Sequence, residues 1–141
     1  MEKWKLFALL SMFFAGLTAV VAKLGMNKLS ADVALFIRTA MVLFIVTVNA
    51  FWFNDVLADI KQSPRSSLMF LALSSLTTAI SWVFYYRAMK EGPVAYVSSI
   101  DKGSIVVTII LSFYFLKEPI TIKMLVGTTF IVIGLVLLVL K

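Results

Sequence analysis

The sequence contains no cysteine and no histidine, and only 14% of its 141 residues are charged. The first two absences exclude disulfides, thiol chemistry and the usual soft-metal ligands. The scarcity of charge excludes a soluble domain, which carries about 25% charged residues to cover its surface. The three prolines, Pro64, Pro93 and Pro119, all fall between apolar runs, so the runs themselves are uninterrupted. Acidic residues are fewer than basic ones, leaving a net charge of +6. The basic residues stand singly between apolar stretches, however, and make no stripe with interleaved aromatics, so nucleic acid is not an expected partner.

What the chain has in abundance is apolar surface: 62% of residues are hydrophobic and the mean hydropathy is +1.03. These values describe an all-α integral membrane protein with one compact domain over residues 1–141. Five segments are close to span length, at about 4–23, 32–53, 67–89, 93–116 and 124–140. The amino terminus MEKWKLFALL begins like a signal peptide, but no A-x-A site follows, so it reads as a span. In the first span Ala8, Ser11, Ala15, Ala19 and Ala22 recur every three or four positions, a close-packing seam. Gly127 and Gly134 in the fifth span are seven apart and offer a matching helix-docking or dimer face. Ser30 or Asp32 is expected to cap the second span. Trp4 and Phe51-Trp52-Phe53 suit an aromatic belt. Residues 54–66 are read as the one loop of any size.

The most costly residues to keep are Asp101 and Lys102, inside the fourth span. With a helix starting at Pro93, Asp101 lies about 12 Å along it, near the middle of a hydrocarbon layer roughly 30 Å thick. A charge at that depth costs at least ~2.5 kcal/mol and usually faces a cavity or a partner. Ser98, Ser104, Thr108 and Ser112 lie within about 60° of Asp101 on the helical wheel, a polar stripe able to line a path. Gly103 permits local unwinding there. Asp101 and Lys102, as neighbours about 100° apart, are not expected to pair well with each other. Asp101 is a candidate to carry a proton or cation, and Lys102 to bind an anionic group or lock a closed state. The alternative is an ion pair between helices or subunits that fixes packing alone.

Arg38, about 9 Å inside its helix, is placed to reach Asp101 or a substrate carboxylate, or else snorkels to the interface. Trp82 and Tyr86 are four apart and share a face; with Tyr85 and Tyr96 they are candidates for an aromatic wall around a cation or an aromatic substrate. An interfacial belt is the competing role, and the better one for Tyr85. Lys90, Glu91 and Glu118 read as plain loop charges. No residues suggest a catalytic or metal site, and no cofactor is expected.

The run YYRAMKEGPVAYVSSIDKGSIVVTIILSFYFLKEPITIKMLVGTTFIVIGLVLLVL contains an aromatic-Tyr-x-Ala-x-x-x-Gly turn at Tyr86 to Gly92, Glu118 after the fourth span and spaced glycines in the fifth. With Arg38, these features resemble EamA-type proteins of the drug/metabolite transporter superfamily, in the short five-span branch that corresponds to half of a longer transporter. A weaker resemblance is to the small multidrug resistance proteins. Tyr96 and Gly103 fall where that family has Tyr and Gly on its substrate-facing helix, but Ala15 stands where it has a glutamate.

The resemblance implies a secondary transporter that moves a small metabolite or drug-like molecule by alternating access in the cell (inner or plasma) membrane. Related transporters contain two inverted five-span halves, so a lone half implies an antiparallel homodimer. An odd number of spans puts the termini on opposite sides. The charges agree: Lys3, Lys5, Lys61, Arg65, Lys117 and Lys123 fall on one side, and Lys23, Lys28, Arg38, Arg87, Lys90 and Lys141 on the other, six each. No excess of Lys and Arg then selects one orientation. Expected partners are a second copy, membrane lipid and the small-molecule substrate. The alternative is a non-transporting structural or regulatory membrane subunit whose buried charges specify assembly.

Overall fold

The computed structural model describes residues 2–140. The elements are α1 (Lys3–Gly25), α2 (Ala31–Phe53), α3 (Val56–Gln62), α4 (Arg65–Glu91), α5 (Val94–Asp101), α6 (Ser104–Leu111), a π-helical turn (Ser112–Leu116) and α7 (Ile122–Val139). Five stretches are long and apolar enough to cross a membrane: Lys3–Gly25, Ala31–Phe53, Arg65–Glu91, Val94–Leu116 and Ile122–Val139. At 1.5 Å per residue, the 23-residue spans reach about 35 Å, enough for a hydrocarbon layer roughly 30 Å thick.

Local chemistry sets the boundaries. Ser30, not Asp32, caps α2, its hydroxyl accepting from the Val33 amide at 3.3 Å. Thr121 caps α7 in the same way, accepting from the Met124 amide at 3.2 Å. The segment read as a loop contains α3, because the Asp55 carboxylate accepts from the Ala58 amide at 3.2 Å and starts a helix there. Pro93 is the cap of α5 rather than its first residue: its backbone is extended and its carbonyl accepts from the Val97 amide at 3.1 Å. The π-helical turn ends at Lys117, which takes a left-handed conformation (φ 55°). Pro119 follows and prevents continuation.

The chain divides into two compact units, one of residues 22–91 and one of residues up to 21 together with 92 onward. In the first, α2 and α4 run antiparallel along each other. In the second, α5 packs on α7. Burial is sparse: among the described residues the buried apolar side chains are Ala19, Met26, Ala31, Tyr86 and Met89, and Met26 and Met89 are fully enclosed. Four of these five lie where α1 ends, α2 begins and α4 ends. Most other large apolar side chains face outward, as suits helices solvated by lipid and closed by their own backbone hydrogen bonds.

Candidate functional site

In the unit of residues 22–91, the i,i+4 spacing on α4 puts Trp82 and Tyr86 on one face, and Arg38 of α2 lies against both. Its guanidinium carbon is 4.6 Å from the Trp82 ring centroid and 5.9 Å from that of Tyr86. Within this unit Arg38 is thus held by ring faces rather than by a carboxylate. This attraction strengthens as water is removed. Arg38 sits about 10 Å along α2, counting from Ala31. Tyr86 is 3% exposed, and its hydroxyl has no hydrogen-bond partner among the described residues.

Trp82 also forms part of a groove of about 800 Å³ between α2 and α4. Asp32, Leu35, Phe36 and Thr39 line one wall, and Leu71, Ser74, Ser75, Thr78, Ala79, Trp82 and Val83 the other. The Ser75 hydroxyl donates to the Ala72 carbonyl and the Thr78 hydroxyl to the Ser74 carbonyl, both at 2.8 Å. Each hydroxyl spends its proton on its own helix and keeps oxygen lone pairs as acceptors. Asp32 is paired with Arg87 through two bonds, Nε to Oδ1 at 3.1 Å and Nη2 to Oδ2 at 3.2 Å. The groove was not anticipated from the sequence. Its signal was present in the i, i+3, i+4, i+7 recurrence of 32, 35, 36, 39 and of 71, 74, 75, 78.

The same end of this unit is tied by two lysines. Lys90 Nζ donates to the carbonyls of Met26 at 2.8 Å and Asn27 at 3.3 Å. Lys23 Nζ donates to the Met89 carbonyl and, at 3.4 Å, to that of Lys90. Lys23 thus satisfies carbonyls in the last turn of α4, where four are otherwise orphaned, and Lys90 those of the two residues that follow α1. Lys90 is accordingly not the plain loop charge expected.

In the other unit, Asp101 and Lys102 lie at a break between α5 and α6. The amides of Lys102, Gly103, Ile105 and Val106 donate three residues back, to Ser99, Ile100, Lys102 and Gly103 at 2.9–3.2 Å. The span tightens to a 3₁₀ turn here, which often marks a hinge. Counting from Val94, Asp101 is about 10 Å along, short of the span's centre at Ile105. The two neighbours meet only loosely: Lys102 Nζ is 3.7 Å from Asp101 Oδ2. The long lysine stem reaches back where a helical wheel alone keeps the residues apart. At 3.7 Å the contact lies beyond charge-assisted hydrogen-bond length, and both side chains remain exposed. Of the expected stripe, Ser104 and Thr108 stay exposed and Ser98 half-buried, and the Thr108 hydroxyl donates to the Ser104 carbonyl at 3.0 Å. Tyr96 is exposed.

Gly103 is where this unit needs a missing side chain. A Cβ there would stand 3.0 Å from the Ile100 carbonyl oxygen and 3.4 Å from Leu135 Cδ1 of α7. Among the described residues Gly127 and Gly134 have nothing within 4 Å of a built Cβ, whereas α7 meets Gly103 at Leu135. Of the expected α1 seam, Ala19 is buried and Ala15 exposed.

The EamA-like transporter family matches residues 2–140. A protein of Sinorhizobium sp described as an uncharacterized transporter in the cobO 3' region is 39% identical over 141 residues, covering 97% of this chain and 96% of that protein. No solved structure matches.

Proposed function

The chain belongs to the EamA-like transporter family, and on that premise we propose that it is a secondary transporter working by alternating access as an antiparallel homodimer. The observation that carries this reading is an acid and a base, Asp101 and Lys102, kept at a 3₁₀ break inside an apolar span. Ionisable side chains at such a place are functional by default, and broken helices recur at transporter binding sites. Asp101 carries the proton or cation, and Lys102 holds it at 3.7 Å until substrate or the partner subunit takes one of them over. Five spans make one half of an inverted-repeat transporter, and a second copy, inverted, completes it. With Arg38 inside its span, the basic residues divide six to five between the two sides, a bias of one that allows both orientations. In this arrangement the termini lie on opposite sides of the cell membrane, and the open glycine face of α7, with Ala15 on α1, is a candidate contact between copies.

The test is flux in vesicles reconstituted with the purified chain, across a panel of amino acids, quaternary amines, nucleosides and organic acids, with and without a pH gradient. The expected result is protein-dependent flux of at least one compound, driven by the gradient and lost in Asp101→Asn. Absence of flux across the panel would favour the structural or regulatory subunit instead.

A further inference from the structure

We infer that the α2–α4 groove and the Arg38 cage together form a binding site for an organic anion with an apolar body. The inference builds on the transport reading, because it names a substrate class for the same protein. Three observations converge. First, Asp32, the charged residue of the groove, is matched by Arg87, while Arg38, next to the groove through Trp82, lies against ring faces and makes no ion pair among the described residues. Second, the Tyr86 hydroxyl is buried without a partner among the described residues, although buried hydroxyls nearly always have one. Third, Trp82 belongs to both features, standing under Arg38 and lining the groove of about 800 Å³.

A carboxylate supplies what both polar groups lack. It accepts two parallel bonds from a guanidinium, the geometry in which arginine excels. Its remaining lone pairs accept from a phenol. The apolar body then lies in the groove against Phe36 and Trp82. A cation is repelled at the cage itself, where the aromatic faces already hold the Arg38 guanidinium. The site is a cage loaded with its own positive charge, and it recognises the opposite one.

The test uses the full chain in detergent, carrying Trp4→Phe and Trp52→Phe so that Trp82 is the remaining tryptophan. The probes are 2-naphthoate and 2-naphthylmethylammonium, which share a body and differ in charge. Naphthoate is expected to quench Trp82 saturably, with affinity at least tenfold weaker in Arg38→Gln and severalfold weaker in Tyr86→Phe. Tyr86→Phe keeps the ring beneath Arg38, so it decides the matter even if Arg38→Gln fails to fold. Equal or tighter binding of the ammonium probe, or naphthoate binding indifferent to both substitutions, overturns the site. Naphthoate flux in vesicles separates the two ideas. Flux unchanged by Arg38→Gln overturns the site and leaves transport standing. Arg38-dependent binding with no flux of any compound leaves the site standing and overturns transport.

Discussion

Lys90 donates its ammonium to the Met26 carbonyl at 2.8 Å across 64 residues of sequence. Lys23 makes the return contact to Met89. Met26 and Met89, fully enclosed among the described residues, are thus among the residues whose carbonyls the lysines hold. Charge, helix ends and packing meet at one corner of α1, α2 and α4, and this corner sets the register that brings Asp32 to Arg87 and Arg38 to Trp82.

Removing either lysine therefore exposes the packing as well as the carbonyls. Lys90→Met or Lys23→Met is expected to destabilise by about 1.5–3 kcal/mol, the range for hydrogen bonds involving a charged group. Both changes together should cost less than the sum, because they open the same corner. Chemical unfolding in detergent measures this; strictly additive losses would show two independent contacts.

The glycines separate into two kinds. Gly103→Ala is expected to destabilise by about 1–3 kcal/mol, as overpacking does, because the new methyl group meets the backbone oxygen of Ile100 at 3.0 Å. Gly127→Ala and Gly134→Ala meet nothing within 4 Å, and helix propensity alone favours alanine by about 1 kcal/mol. Bulkier Gly127→Leu should leave the thermal melt of the single chain intact and abolish cross-linking between copies. Unaltered cross-linking would remove α7 from the proposed interface.

Asp101→Asn keeps shape and hydrogen bonding but cannot cycle a proton, so coupled flux should vanish while the fold is retained. The Asp101–Lys102 contact is long and exposed, and exposed pairs contribute about 0–1 kcal/mol. Lys102→Met should then cost no more than that in the isolated chain. A larger loss, rescued by adding Asp101→Asn, would reveal a tighter pairing across the dimer. Normal flux in Asp101→Asn would make the residue structural.

Reporters fused to the carboxyl terminus are expected to be active on both sides of the membrane. Two or three lysines added to one side should force one orientation and stop function, and coexpression with an oppositely biased variant should restore it. Labelling of the unmodified chain from one side only would exclude the antiparallel dimer.

Much of this protein follows from its sequence alone. Five apolar runs of span length dictate five crossing helices, since a run of about 20 residues fits a helix across the hydrocarbon layer and is twice the length of a barrel strand. Spacing of four residues puts Trp82 and Tyr86 on one face, and Gly103 beside two charges marks where the fourth span breaks. The partners of the charges were beyond its reach. Arg38 lies against the rings of Trp82 and Tyr86, Asp32 chose Arg87 over capping its own helix, and Lys90 chose carbonyls 64 residues away. Periodicity describes one helix at a time, whereas these contacts depend on the register between helices. A slide of a single turn, about 5.4 Å, would exchange every one of them while leaving the pattern of apolar residues unchanged.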